Sequence, residues 1–217
     1  MQYNKRWVIG DIHGKYEQLV KVLELANFDI TNDLLISLGD LADRGEESWE
    51  VIDYLCGVPN LILIEGNHDY YIKEWLRTNR SSMEWIYNGG NPTIKSYESH
   101  EMKNREKHLD LLNSNKPYYV LDNKCFVHGG LDPNHLIKEH SEVGLTWDRS
   151  LSEDHQKDRP IIFKDGFDEV FIGHTPTTYY NSDTPIIKNN VINVDTGCGK
   201  GGLLTIMNID TKEFFQA

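Results

Sequence analysis

The sequence predicts an α/β protein whose second half turns to short β-strands. Apolar runs of strand length alternate with amphipathic segments of helix length up to residue 65. That strand–helix–strand–helix–strand order implies parallel pairing, with helices packed on the sheet. From Tyr118 onward, short apolar runs follow one another with turn residues between them.

RWVIG (6–10) reads as the first strand. KYEQLVKVLELAN (15–27) follows as a helix, with Tyr16, Leu19, Val20, Leu23 and Ala26 on one face. LLISL (34–38) is the second strand, and EESWEVIDYL (46–55) repeats the helical pattern through Trp49, Ile52 and Leu55. LILIE (61–65) is the third strand. Residues 69–116 read as mostly helical, interrupted at NGGNP (88–92), with KNREKH (103–108) as a solvated helix face. YYVL (118–121), CFVH (125–128), EVFIG (169–173), NVINV (190–194) and GLLTIM (202–207) are the later strands.

The bulk numbers set bounds. No repeat or low-complexity linker divides the 217 residues, so one domain over 1–217 is expected. The net charge of −12 disfavours broad contact with a nucleic-acid backbone, which needs a cationic surface. No apolar run approaches the roughly 18 residues of a membrane span, and MQYNKRWVIGD lacks the pattern of a secretory leader. Cys56, Cys125 and Cys198 are odd in number and far apart, which suits reduced thiols. A cytoplasmic monomer is the expectation.

The strands share a further pattern: they end in polar side chains accompanied by glycine. WVIG leads into Asp11 and His13, LLISLG into Asp40, Asp43 and Arg44, and LILIEG into Asn67, His68 and Asp69. CFV leads into His128, VFIG into His174 and VINV into Asp195. In α/β sheets, ligands sit beyond the carboxyl ends of strands. Any one of these residues alone reads as a turn, a cap or a hydrogen-bonded core histidine; the recurrence points to one convergent metal site. Oxygen donors from Asp11, Asp40 and Asn67 would mix with imidazoles from His13, His128 and His174. Such a set suits Mn, Fe or Zn rather than calcium. Six donors exceed one tetrahedral zinc and suit two ions sharing a bridging carboxylate.

GDIHG, GDLADRG, GNHD, HGG and GHT, in this order, resemble the phosphoprotein phosphatase branch of the calcineurin-like metallophosphoesterases. WIYNGG (85–90), TWDR (146–149), GHTP (173–176) and VDTG (194–197) are most similar to the bacteriophage lambda type of serine/threonine phosphatase. The resemblance implies a calcineurin-like fold, a central β-sandwich flanked by helices. It implies Asp11, His13 and Asp40 on a first metal, with Asp40 bridging to a second held by Asn67, His128 and His174. His68 would be the general acid, supported by Asp43, while Arg44 and Arg149 would bind the substrate phosphate. Two divalent ions are implied, Mn²⁺ first among them, with Fe or Zn as alternatives.

The expected function is hydrolysis of phosphoserine or phosphothreonine in proteins, with phosphotyrosine and small phosphoesters as further substrates. GNHD also occurs in relatives that cleave dinucleoside polyphosphates, which makes such a hydrolase the alternative. Those relatives usually lack the acid that stands here as Asp43. A non-catalytic scaffold would be expected to have lost a ligand or the acid, and a nuclease is disfavoured by the negative charge. Asp69 reads as a helix cap, Asp195 as a structural turn, and Arg149 also as a surface ion-pair partner. GCGKGG (197–202) lacks the following Ser/Thr and helix of a phosphate loop. His100, His108, His135, His140 and His155 fall in polar stretches and are expected to be exposed.

Overall fold

A computed structural model describes residues 3–154 and 159–217. Three strands run parallel: β1 (Arg6–Ile9), β2 (Leu34–Ser37) and β3 (Leu61–Leu63). The second sheet takes its strands from β4 (Tyr118–Leu121), β5 (Lys124–Val127), β6 (Glu169–Ile172), β7 (Ile186–Lys188) and β8 (Val191–Asn193). Its order is β4-β5-β6-β8-β7, with β5, β6 and β8 parallel and both edge strands antiparallel. β9 (Thr205–Asn208) and β10 (Phe214–Gln216) return antiparallel beside β1, giving the first sheet the order β10-β9-β1-β2-β3.

The two sheets pack face to face. Val8, Leu34, Ile36 and Met207 of the first sheet meet Phe126, Phe171 and Ile192 of the second. Alternate residues point the other way: Trp7, Ile9 and Leu35 join a second core beneath the helices. Burial on both faces is why LLISL is apolar at every position but Ser37 rather than alternating.

Helices cover the outer faces. α1 (Tyr16–Leu25), α2 (Ser48–Leu55), α3 (Asn67–Thr78), the single turn α4 (Met83–Trp85), α5 (Asn91–Ser99) and α6 (Arg105–Asn113) belong to the first half. Leu19, Ile52, Ile72, Trp85, Tyr97 and Leu112 bring them into the core under the first sheet. α7 (Glu142–Trp147) and α8 (Ser150–Asp154) belong to the second half, where Leu145 and Leu151 pack on Cys125, Val127 and Val170. The result is an α/β fold of two mixed sheets flanked by helices. No described helix is long and apolar enough to cross a membrane.

Several expectations need correction. In α1 the buried face is Leu19, Val22 and Leu23, and Val20 is half-buried. β7 and β10 were not predicted; both are short edge strands with exposed residues, so neither leaves an apolar run. His108 is fully buried: its Nδ1 meets the Tyr97 hydroxyl at 2.8 Å and its Nε2 lies 3.2 Å from Asp53. KNREKH is therefore solvated only up to Lys107. His100 is half-buried, stacked on Trp49 at 4.0 Å, and His140 is half-buried, accepting the Asp132 N–H. His135 is exposed as expected, and His155 lies outside the described residues.

Candidate active site

Each polar strand tip belongs to a strand that runs parallel to its neighbour: β1, β2 and β3 in one sheet, β5, β6 and β8 in the other. Asp11, His13, Asp40, Asn67, His128, His174 and Asp195 lie just beyond them, and all are buried. Asp40 is central. Its Oδ2 lies 3.6 Å from His13 Nε2 and its Oδ1 3.5 Å from His128 Nε2, so the two carboxylate oxygens face different imidazoles. Asp11 Oδ2 lies 4.0 Å from His13 Nε2, and Asn67 Oδ1 lies 3.2 Å from His128 Nε2. The His128 and His174 rings are 5.0 Å apart. Two groups sharing Asp40 could each hold an ion: His13, Asp40 and His68, and Asp40, His128 and His174. The first group holds His68, the expected acid, in place of the expected ligand Asp11, whose Oδ2 stands 4.0 Å from His13 Nε2.

The protonation pattern fits a cation. His13 Nδ1–H donates to Ala42 O at 2.9 Å and His128 Nδ1–H donates to Leu38 O at 2.7 Å. Each ring then turns Nε2 inward, His13 to Asp40 and the Arg44 guanidinium and His128 to Asn67 and Asp40, where a divalent cation could take the place of the guanidinium or of a proton. His174 Nε2 is buried with no hydrogen-bond partner among the described residues, as the donor nitrogen of a metal ligand would be. Burial opposes a charge on His128, yet Asp40 and Asp11 prevail and push its pKa up to about 10. Burial and the nearby Asp195 raise Asp11 well above the carboxylate range. Burial also favours neutral Asp40, but His128, His68 and His13 outweigh it and hold Asp40 well below that range. Burial, with His128 beside it, lowers His174 to about 2. The donor set and the fold fit divalent metal.

Chelation therefore has an expected pH signature. A histidine whose folded pKa is raised contributes stability that is full below its unfolded value and lost as pH rises through the folded one. For His128 that window runs from 6.5 to about 10. The raised Asp11 acts in the same direction, because its protonated form is the one the buried site prefers. A bound cation replaces those protons. The melting temperature of chelated protein is expected to fall more steeply between about pH 7 and about pH 10 than that of metal-loaded protein. Parallel curves would contradict this.

The backbone under the site is strained. His13, Asp40, Asp43, Arg44 and His174 all take positive φ, between 50° and 74°, at a cost of roughly 1–2 kcal/mol each for a residue with a Cβ. Packing and hydrogen bonds hold them there. Asp69 caps α3 by accepting the Gly66 N–H, and it also accepts the N–H groups of Asp40 at 2.8 Å and Leu41 at 2.9 Å. It thereby pins the loop that presents Asp40, a function sequence reading missed. Burial and the Asp40 charge raise Asp69 to about 7. Gly66 has no room for a side chain: a Cβ there would lie 2.2 Å from Asp40 Oδ1. Asp195 accepts the Gly197 N–H at 2.9 Å, as a structural turn should, while facing the cluster from within. GCGKGG forms a 3₁₀ turn over Cys198–Lys200 whose Gly199 lies against the His13 ring. The three cysteines are free, and burial raises each thiol pKa.

His68 and Asp43 form a buried pair, Nδ1 to Oδ2, at 2.6 Å. The Arg44 guanidinium donates to His13 Nε2 at 2.6 Å and to His68 Nε2 at 2.9 Å. It therefore spans the cluster and the His68–Asp43 pair. Among the described residues, Arg149 donates to Thr175 Oγ1 at 2.9 Å and reaches the His174 carbonyl at 3.4 Å. Beside Asn67 opens a cleft of about 350 Å³ lined by Glu65, Glu84, Glu142, Tyr70, Tyr71 and Trp147. Trp147 packs edge-on against His174 at 5.8 Å.

A two-sheet sandwich with this buried Asp/Asn/His cluster at its parallel strand tips defines a metal-dependent phosphoesterase. The chain belongs to the calcineurin-like phosphoesterase family, whose model matches residues 5–188. Its motifs are those of the phosphoprotein phosphatase branch. It is 31% identical to serine/threonine-protein phosphatase 2 of Salmonella typhimurium, over 95% of this chain and 94% of that one. It is 32% identical to a symmetrical bis(5'-nucleosyl)-tetraphosphatase of Coxiella burnetii, over 97% and 90% of the two chains. Among solved structures, one provisionally described as a diadenosine tetraphosphatase superposes with a TM-score of 0.72 at 18% identity. The match covers 98% of this chain and 92% of that one. The family implies divalent metal, and the relatives carry both activities.

Proposed function

We propose that the protein is a phosphomonoester hydrolase of two divalent metals, acting on phosphoserine or phosphothreonine in proteins. The cleft beside Asn67 carries this choice. Among the described residues, three glutamates line it, no lysine or arginine does, and Lys73 pairs with Glu65. Such a surface repels the remainder of a polyphosphate and favours a neutral or basic peptide flank, with Tyr70, Tyr71 and Trp147 offering apolar contact. Phosphotyrosine and small phosphoesters are further substrates of the same site.

The geometry supports the following roles. Asp11, His13 and Asp40 would hold one ion, and Asp40, Asn67, His128 and His174 the other, with Mn²⁺ the first choice and Fe or Zn the alternatives. Bound there, the ions supply Lewis acidity and a water nucleophile of lowered pKa. Arg44 and Arg149 bind the phosphate, since guanidinium groups make permanently charged, forked contacts. Phosphate draws Arg44 off the two imidazoles, which frees His68 Nε2 to carry a proton. His68 delivers that proton to the departing alkoxide as the P–O bond breaks. Asp43, bonded to Nδ1, fixes the tautomer and orientation of the ring. The protein would work as a single-domain monomer in the cytoplasm, without nucleic-acid or membrane partners.

The second reading is a dinucleoside polyphosphate hydrolase, favoured by the Coxiella relative and by GNHD. Metal-loaded protein assayed in parallel on a basic phosphoserine peptide and on diadenosine tetraphosphate separates the two. The expected kcat/KM favours the peptide by at least about tenfold, equivalent to about 1.4 kcal/mol. A preference for the tetraphosphate contradicts the proposal.

A further inference from the structure

Asp43 is held by three side-chain donors. Its Oδ2, which accepts the His68 Nδ1–H, also accepts the Trp85 Nε1–H at 2.8 Å. Its Oδ1 accepts the Thr93 hydroxyl at 2.8 Å, and its own N–H donates back to Thr93 Oγ1 at 2.9 Å. Ser48 Oγ lies 3.0 Å from Thr93 Oγ1. The carboxylate is fully buried, so both oxygens depend on these donors.

Two of these donors, Trp85 and Thr93, come from one stretch of chain. Trp85 starts it, with its N–H on Ser82 Oγ at 3.1 Å and its ring 5.6 Å from that of Trp75. Gly90 lies against the Trp85 ring: a Cβ there would come within 2.5 Å of it. Gly89, at φ +109°, turns its carbonyl to the Arg44 N–H at 2.9 Å. Thr93 lies near the start of α5. Residues 82–93 thus grip the backbone or side chains of both Asp43 and Arg44, the consecutive residues held at φ 74° and 66°. A left-handed pair without glycine persists only where its surroundings over-determine it.

We propose that Trp85 and Thr93 are positioning residues for proton transfer: they fix Asp43 so that it presents the His68 ring in one orientation. This rests on His68 being the acid, as read above. The bland alternative is that both donors merely satisfy a buried carboxylate and stabilise the fold. The alternatives differ in chemistry. Lost folding or lost metal slows every substrate alike, whereas a misaimed acid slows only those whose leaving group needs a proton.

The test compares phenyl phosphate with 4-nitrophenyl phosphate, whose leaving group departs readily as an anion, using metal-loaded protein. Trp85→Phe and Thr93→Val are expected to raise the ratio of kcat on 4-nitrophenyl phosphate to kcat on phenyl phosphate by about tenfold, with KM little changed. Thr93→Ser restores the hydroxyl and is expected to return the wild-type ratio. Should Trp85→Phe fail to fold, the Thr93 pair decides. Equal losses on both esters, with His68→Asn still selective, overturn the proposal. If His68→Asn itself leaves the ratio unchanged, the acid assignment fails first and this inference goes with it.

Discussion

Asp40→Asn is expected to lose bound metal and phosphatase activity together. Its two oxygens face His13 and His128 separately, at 3.6 and 3.5 Å, so this one side chain belongs to both candidate ion sites. Asparagine keeps the shape but replaces one anionic oxygen by an amide nitrogen, which cannot ligate. The negative charge that opposes two divalent cations in a buried site is lost as well. The expected loss in activity is at least about 100-fold, the upper range for residues that merely support metal ligands. Metal content after dialysis, measured beside activity, checks it. The fold should survive, because the Asp40 backbone is held by its N–H on Asp69 and by its carbonyl, which accepts from Ile12 and His13, and an asparagine Oδ1 can still accept the His68 N–H. Full metal content with lost activity would assign Asp40 to chemistry rather than to metal binding.

His68→Asn is expected to do the opposite: to keep metal and lose turnover selectively. The ring is tied to Asp43 through Nδ1 and exposes Nε2 toward Arg44 and the cluster, which is where a departing oxygen would need a proton. Loss of such a proton donor costs about 10²- to 10⁴-fold on an alkyl phosphate. On 4-nitrophenyl phosphate the cost should be far smaller, because that leaving group needs no proton. Asparagine can still donate to Asp43, so the buried carboxylate keeps a partner and the melting temperature should change little. Equal losses on both esters would move His68 from proton transfer to metal binding, where its place beside His13 and Asp40 would then belong.

How much of this was legible in the sequence depended on burial. Strands sandwiched between two cores are apolar at almost every position, so LLISL ends abruptly and Asp40 stands out. The same contrast marks Asp11, Asn67, His128 and His174. The residues that hold these groups left weaker marks. Asp69 reads as a helix cap and is one, but its grip on Asp40 and Leu41 joins segments distant in sequence. Positive φ at His13, Asp40, Asp43, Arg44 and His174 has no code of its own beyond the neighbouring glycines. Trp85 stood in the sequence only as the first residue of WIYNGG; the fold aims its N–H at Asp43. His108 was misread because its neighbours are charged. Its spacing to Leu112, one helical turn on, was the available signal for a buried face.

The most direct test of the two-metal account is an anomalous difference map from crystals soaked in Mn²⁺. The account expects two peaks, one on each side of the Asp40 carboxylate, bounded by His13 and Asp11 on one side and by Asn67, His128 and His174 on the other. A single peak, or peaks confined to the surface away from Asp40, would contradict it.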